Sequence, residues 1–90
     1  MSDRYTLHPK CLLTELDDGT GVVLHLDTKL YYTLNETGVF VWKELDASPN
    51  GIEGLVQRLT ESFEVETERA RADVDAVLRT LLDEGLVAAG

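Results

Sequence analysis

The sequence predicts an α+β domain in which a three-stranded antiparallel sheet is followed by three helices. Two observations carry this prediction. Apolar and polar residues alternate in short runs between residues 10 and 34, as they do in half-buried strands. Beyond Asn35 the apolar residues recur at helical spacing, and loops at residues 46–51 and 64–66 divide this part of the chain into three segments. Ninety residues are enough for one domain with a modest hydrophobic core.

The predicted strands are short and tightly linked. Their expected bounds are Lys10–Leu16, Gly21–Asp27 and Leu30–Leu34. Gly19 lies in the first link, where a tight hairpin needs the positive φ that glycine adopts easily. Thr28 and Lys29 form the second link, so the strands should make an antiparallel meander. Residues 1–9 show no periodic pattern, and we expect them to be a flexible N-terminal arm before a domain spanning residues 10–90.

The predicted helices follow in order, each with a recognisable terminal signal. Their expected bounds are Glu36–Leu45, Gly51–Ser62 and Thr67–Glu84. Asn35 can cap the first helix by accepting a backbone N–H of its first turn. Asn50 with Glu53 resembles a capping box for the second, Thr67 is the expected cap of the third, and Gly85 its expected stop. The spacing is that of a helix-turn-helix, which predicts a winged helix-turn-helix-like architecture.

The composition narrows the range of partners. The chain has 17 acidic and 8 basic residues and a formal net charge of −9, which repels phosphate backbones and anionic membranes. Cys11 is the only cysteine, so an internal disulfide is impossible and a reducing compartment is expected. The N-terminal residues show no apolar signal core, and no apolar run is long enough to span a membrane. These features predict a cytoplasmic protein that binds neither nucleic acid nor membrane.

No pattern of catalytic or metal-ligating residues stands out. Cys11 lies three residues after His8, and His25 lies on the next strand, so a contact between cysteine and histidine is geometrically possible. A single cysteine in an apolar strand is more often a small buried side chain. One cysteine and two scattered histidines also fall short of a compact metal site. We therefore expect no enzyme activity, no metal and no cofactor.

The third strand is the segment best suited to binding. In a three-stranded meander it forms an edge unless another element covers it. The strand is short, aromatic at Tyr31 and Tyr32, free of proline, and flanked by one charge at Lys29. Such an edge beside an apolar helix is a ready site for the addition of a strand from another chain. Pairing with a second copy would also cover the edge, so a monomer or a weak dimer is expected.

An ordered set of residues from the third strand to the C-terminus resembles the PqqD-like proteins. The set starts at Asp27 with a strand that ends in the family's Tyr-x-Leu-Asn pattern, at Tyr32–Asn35, and it continues into the first helix. It ends with a segment similar to the family's closing pattern, from Asp73 to Val87. The resemblance covers about residues 10–88. Leu30 departs from it, because many members have glycine or a polar residue at that place.

The resemblance implies a precursor-peptide recognition element, in particular the stand-alone leader-binding protein of lasso-peptide biosynthesis. The leader would add as an antiparallel strand to the third strand and lie against the third helix. The protein would deliver the precursor peptide to a leader protease, before a cyclase closes the ring. The residues implied for this site are Leu30, Tyr31, Tyr32, Thr33, Leu34, Asp73, Val74, Val77, Leu78 and Leu81. Three of them, Val74, Leu78 and Leu81, are also needed for the core.

Three other functions remain open from the sequence. A peptide chaperone of the PqqD type, serving a radical enzyme, is a close variant of leader binding. A winged-helix transcriptional regulator would share the fold, although each arginine of the third helix has an acidic residue four positions away. A small enzyme that uses Cys11 is the third, and replacement of Cys11 by alanine would separate it from a binding protein.

Overall fold

The structure is a computed structural model that describes residues 4–47 and 51–89. These residues contain five strands and three helices in the order ββββαααβ. Their bounds are β1 Tyr5–Leu7, β2 Cys11–Glu15, β3 Gly21–His25, β4 Tyr31–Leu34, α1 Glu36–Ala47, α2 Ile52–Ser62, α3 Thr67–Asp83 and β5 Val87–Ala89. A sheet of short strands followed by three helices confirms the predicted α+β fold class.

The strands β2, β3 and β4 form the predicted antiparallel meander, with β3 in the centre. The register pairs Cys11 with His25 and Val23 with Tyr32. Gly19 has a φ of 89° in the link between β2 and β3, which is the conformation predicted for it. Within residues 4–47 and 51–89, no strand pairs with the outer side of β4. The predicted free edge is therefore present.

A second, two-stranded sheet joins the two ends of the chain. β1 pairs antiparallel with β5, and Thr6 lies opposite Ala88 in the register. Residues 5–7 thus form a strand, whereas the sequence predicted that they belong to a flexible arm. Residues 1–3 of that predicted arm lie outside the described part of the chain. Strands of three residues are too short to show an alternating pattern, and their pairing joins segments far apart in the sequence. The local alternation of apolar and polar residues therefore could not reveal the pairing of β1 with β5.

The helix ends follow the sequence signals in part. The Oδ1 atom of Asn35 accepts the Gly38 N–H at 2.8 Å, so the predicted cap of α1 is confirmed. Asn50, the expected cap of α2, lies outside the described residues. The predicted cap of α3 at Thr67 is wrong: Glu66 has the extended backbone of a cap residue, and the helix already includes Thr67. Gly85 follows α3 with a φ of 74°, as expected of a helix stop.

The core lies between the helices and one face of the meander. The largest fully buried side chains are Leu55, Leu59, Leu78, Leu81, Leu86, Val23, Val41 and Val74. Three of these belong to α3, which packs against both α1 and α2. Burial of this kind contributes roughly 1.5–3 kcal/mol for each large apolar side chain. No helix of the described residues is long and apolar enough to cross a membrane.

Candidate functional site

A groove runs between the free edge of β4 and the helix α3. Its volume is about 400 Å³. It is lined by Thr33, Leu34, Asn35, Gly38, Ala76, Val77 and Thr80. None of these side chains is a histidine, cysteine, carboxylate or amine, so the groove offers no general acid, general base or nucleophile of the usual ionisable kinds. It offers main-chain groups, hydroxyls and apolar surface instead.

The main chain of β4 has free hydrogen-bonding groups along the edge that borders this groove. The N–H of His25 donates to the C=O of Leu30 at 3.0 Å, which makes this pair a hydrogen-bonded one. Pairs alternate along an antiparallel ladder, so Tyr32 is hydrogen-bonded to β3 while Tyr31 and Thr33 are not. The N–H and C=O groups of Tyr31 and Thr33 therefore point away from β3, along the open edge.

The side chains of β4 divide between the two faces of the sheet. Leu34 is buried, and Tyr32 is half-buried against the core. Tyr31 is 69% exposed on the opposite face. Burial raises the pKa of the Tyr32 phenol, and the negative charge of Glu84 raises it further. Because Glu84 is the C-cap of α3, Tyr32 links the strand to the end of the helix that forms the other wall.

The helix α3 presents small and medium side chains to the groove. Val77 is half-buried, and Ala76 and Thr80 are exposed. The Thr80 hydroxyl donates to the Ala76 C=O at 3.2 Å, so it is turned back onto its own helix. Val77 and Ala76 are thus the apolar side chains that α3 contributes to the groove.

The floor of the groove is formed where α1 begins beside β4. A Cβ atom added at Gly38 would lie 3.1 Å from the Leu34 Cβ and 3.4 Å from the Asn35 Oδ1. The first distance is tighter than ordinary van der Waals contact, so a larger residue would push α1 away from the strand. Gly38 thus keeps the helix close to the strand and gives the groove its shape.

The structure separates the residues expected at this site into three groups. Thr33, Leu34 and Val77 line the groove, and Leu30, Tyr31 and Tyr32 lie along or next to the same edge. Val74, Leu78 and Leu81 have no more than 2% of their surface exposed and belong to the core instead. Asp73 lines a different concavity, together with Glu64 and Arg69.

Four lining residues were not expected from the sequence: Asn35, Gly38, Ala76 and Thr80. A helical signal for two of them was present, because Ala76 and Thr80 are four residues apart and flank Val77 on one face of α3. They are small or polar, so a search for apolar anchors passes over them. Asn35 and Gly38 enter the site only because α1 follows β4 without a loop.

The only two histidines and the only cysteine of the chain meet at the end of the sheet away from this groove. His8, Cys11 and His25 each place one potential ligand atom within 4.8 Å of the others. The sequence interpretation treated the histidines as scattered, and this is corrected by the fold. The turn before β2 brings His8 back onto the strand, and the register places His25 opposite Cys11.

The fold and the groove together define a small α+β module with an open strand edge beside an apolar helix, the geometry used for strand addition. The chain belongs to the PqqD family: the family described as "Coenzyme PQQ synthesis protein D (PqqD)" matches residues 20–87. No curated protein matches the chain.

Two solved structures share the fold over almost the whole chain. One is "TbiB1 in Complex with the TbiA(beta) Leader Peptide", with a TM-score of 0.79 and 23% identity, covering 91% of this chain and 93% of that one. The other is "Lasso peptide synthetase B1 complexed with the leader peptide", with a TM-score of 0.73 and 28% identity, covering 93% of this chain and 96% of that one. Both of these relatives were solved with a leader peptide bound.

Proposed function

We propose that this protein is a non-catalytic recognition element that binds the leader region of a ribosomally made precursor peptide. The observation that carries the proposal is the open edge of β4, where the main-chain groups of Tyr31 and Thr33 point away from β3 and Thr33 borders a groove that Val77 also lines. The two structural relatives with bound leader peptides support it, as does membership of the PqqD family.

In the proposed mode the leader adds as a further antiparallel strand to β4. Tyr31 and Thr33 each offer one N–H and one C=O, so four main-chain hydrogen bonds are available to the added strand. These bonds do not depend on the side chains of the leader, so they give affinity without sequence specificity. Alternate side chains of the leader then point into the groove, where Val77, Ala76 and Leu34 select apolar or aromatic anchors.

We also propose that the bound leader is delivered to a leader protease and other maturation enzymes, as in lasso-peptide pathways. The outer face of the sheet supports this part of the proposal. Leu12, Leu24 and Tyr31 lie in one row across the three strands. Leu12 is 54% exposed and Tyr31 is 69% exposed, so a second apolar surface stays open when the groove is occupied. A partner enzyme that docks there would hold the precursor peptide beside its active site.

The direct test is a titration of the purified protein with synthetic leader peptides from several lasso precursors, followed by backbone amide shifts in NMR spectra. We expect saturable shifts concentrated in β4 and in the groove-lining residues Ala76, Val77 and Thr80 of α3. A scrambled peptide of the same composition serves as the control. Shifts absent across the whole panel, with shifts appearing on addition of duplex DNA at low salt, would overturn the proposal.

The charges on α3 favour the peptide over DNA as the ligand. Arg79 pairs with Asp75 at 3.0 Å, and Arg71 pairs with Glu53 on α2. These guanidinium groups are therefore partly neutralised, in a chain whose net charge is −9. A peptide chaperone for a radical enzyme would use the same edge. The titration separates it from the lasso-type function when the substrate peptide of such an enzyme is included in the panel.

A further inference from the structure

A cluster of three potential metal ligands lies at the end of the sheet away from the groove. The chain has two histidines and one cysteine, and all three are in this cluster. Cys11 begins β2, His25 ends β3 directly opposite, and His8 precedes β2 by one turn. The two imidazole rings are 4.6 Å apart between centroids. Neither leader binding nor the groove involves any of these side chains.

The backbone holds these three residues in place. The His8 N–H donates to the Leu86 C=O at 2.9 Å, and the Cys11 N–H donates to the His8 C=O at 3.1 Å. Cys11 and His25 are buried and His8 is half-buried. Their positions are thus fixed by the turn, by the bond to Leu86 and by the register of the sheet. An ion would meet ligands whose backbone is already ordered, so little ordering entropy would be lost on binding.

A backbone N–H group contacts one nitrogen of each imidazole ring. His8 accepts the Lys10 N–H at its Nδ1 at 3.0 Å, and His25 accepts the Asp27 N–H at its Nδ1 at 3.2 Å. An imidazole nitrogen coordinates a metal through its lone pair, so an ion bound at Nδ1 would take the place of these backbone N–H groups.

The surroundings leave room for an ion and for water. A cavity of about 390 Å³ opens beside His8 and Cys11 and is also lined by the carboxylate-bearing Asp46. Two imidazoles and one thiolate are ligands that Zn²⁺ prefers, and a fourth position would be open to water from this cavity.

We propose that His8, Cys11 and His25 form a site for a single transition-metal ion of the Zn²⁺ class. Such an ion would tie the turn before β2 to the end of β3. The proposal is independent of the peptide-binding function, because its ligands do not line the groove.

The test uses the full chain, freed of metal by a chelator and kept reduced by a phosphine, and titrated with Co²⁺ and then Zn²⁺. We expect one equivalent of Co²⁺ to give a thiolate-to-cobalt absorption band in the near ultraviolet, which Zn²⁺ then removes. With Zn²⁺ the backbone amide signals of Lys10 and Asp27 should shift, because their N–H groups lose an acceptor. Zn²⁺ should also raise the thermal unfolding midpoint.

Matched variants separate a metal site from an effect on folding. Cys11→Ala should abolish the band, and His8→Asn should weaken Co²⁺ binding at least about tenfold while keeping an oxygen acceptor for the Lys10 N–H. Lys10→Ala keeps all three ligands and should keep the band. Each variant is checked for an unchanged circular dichroism spectrum without metal. The absence of a stoichiometric band in the parent protein, or its persistence in Cys11→Ala, would overturn the proposal.

Discussion

The meander has two edges, β2 and β4, and they differ in what they offer to another chain. On β4 the outward main-chain groups are those of Tyr31 and Thr33, next to a groove walled by α3. On the other side of β3, the Leu26 N–H donates to the Lys10 C=O at 2.8 Å. Because hydrogen-bonded pairs alternate along the ladder, the even-numbered residues of β2 bond to β3. The outward groups of β2 are therefore those of the odd-numbered residues 11, 13 and 15.

The β2 edge is partly closed and charged. The outward N–H of Cys11 is already bonded to the His8 C=O at 3.1 Å. At the other end of the strand the Glu15 carboxylate pairs with Lys43 of α1 at 3.3 Å. Charged side chains and covering turns are common protections of a strand edge. The two edges therefore differ in two ways: an apolar helix wall adjoins β4, whereas a turn and a charged pair cover part of β2.

The largest expected effect comes from placing a charge in the wall of the groove. Val77→Asp should weaken leader binding by about a hundredfold, which corresponds to roughly 2.8 kcal/mol, because the carboxylate would lose water without gaining a partner. Isothermal titration calorimetry measures the change. Val65→Asp is the matched control, since Val65 is also half-buried against the core but lies outside the groove. Unchanged affinity in Val77→Asp would show that the groove has been assigned wrongly.

A smaller effect is expected from blocking the main chain of the edge. Thr33→Pro removes one outward N–H, and no bond to β3 is lost because the Thr33 N–H does not pair with β3. Proline is tolerated at such positions of edge strands. It should weaken leader binding by at least about tenfold, which is close to 1.4 kcal/mol. Glu15→Pro makes the same change on the β2 edge and should leave the affinity unchanged. Equal losses in the two variants would mean that the two edges do not differ as described.

The smallest expected effect is a loss of stability at the junction between β4 and α1. Asn35→Ala removes the acceptor of the Gly38 N–H and should lower the free energy of unfolding by about 1 kcal/mol. Asn35→Asp keeps an acceptor and should retain most of the stability. Urea denaturation of the three proteins provides the comparison. If Asn35→Ala unfolds at the same urea concentration as the parent, the cap does not hold this end of the groove.

The local elements were predictable because their signals lie within a few residues of each other. The meander, the cap at Asn35 and the stop at Gly85 each follow from a short pattern. The pairing of β1 with β5 was not predictable, because it depends on contact between the two ends of the chain. The cluster around Cys11 was missed for a related reason, since only the strand register places His25 opposite it.

The site itself was only half predictable. Period-two alternation places the edge at β4, and this follows from the sequence. The face of α3 that lines the groove does not follow from the sequence. The apolar stripe of α3 marks the side that faces the core, at Val74, Leu78 and Leu81. The groove lies on the neighbouring face, where Ala76 and Thr80 carry little apolar signal. Family resemblance points to the helix but cannot say which of its faces a ligand meets.

Amide hydrogen exchange of the β4 edge, with and without a saturating leader peptide, tests the central claim most directly. We predict that the amides of Tyr31 and Thr33 exchange fast in the free protein and slow strongly on binding, whereas the Tyr32 amide is protected in both states. The amides of Leu13 and Glu15, on the other edge, should not change. A bound peptide that leaves Tyr31 and Thr33 unprotected would contradict strand addition at β4.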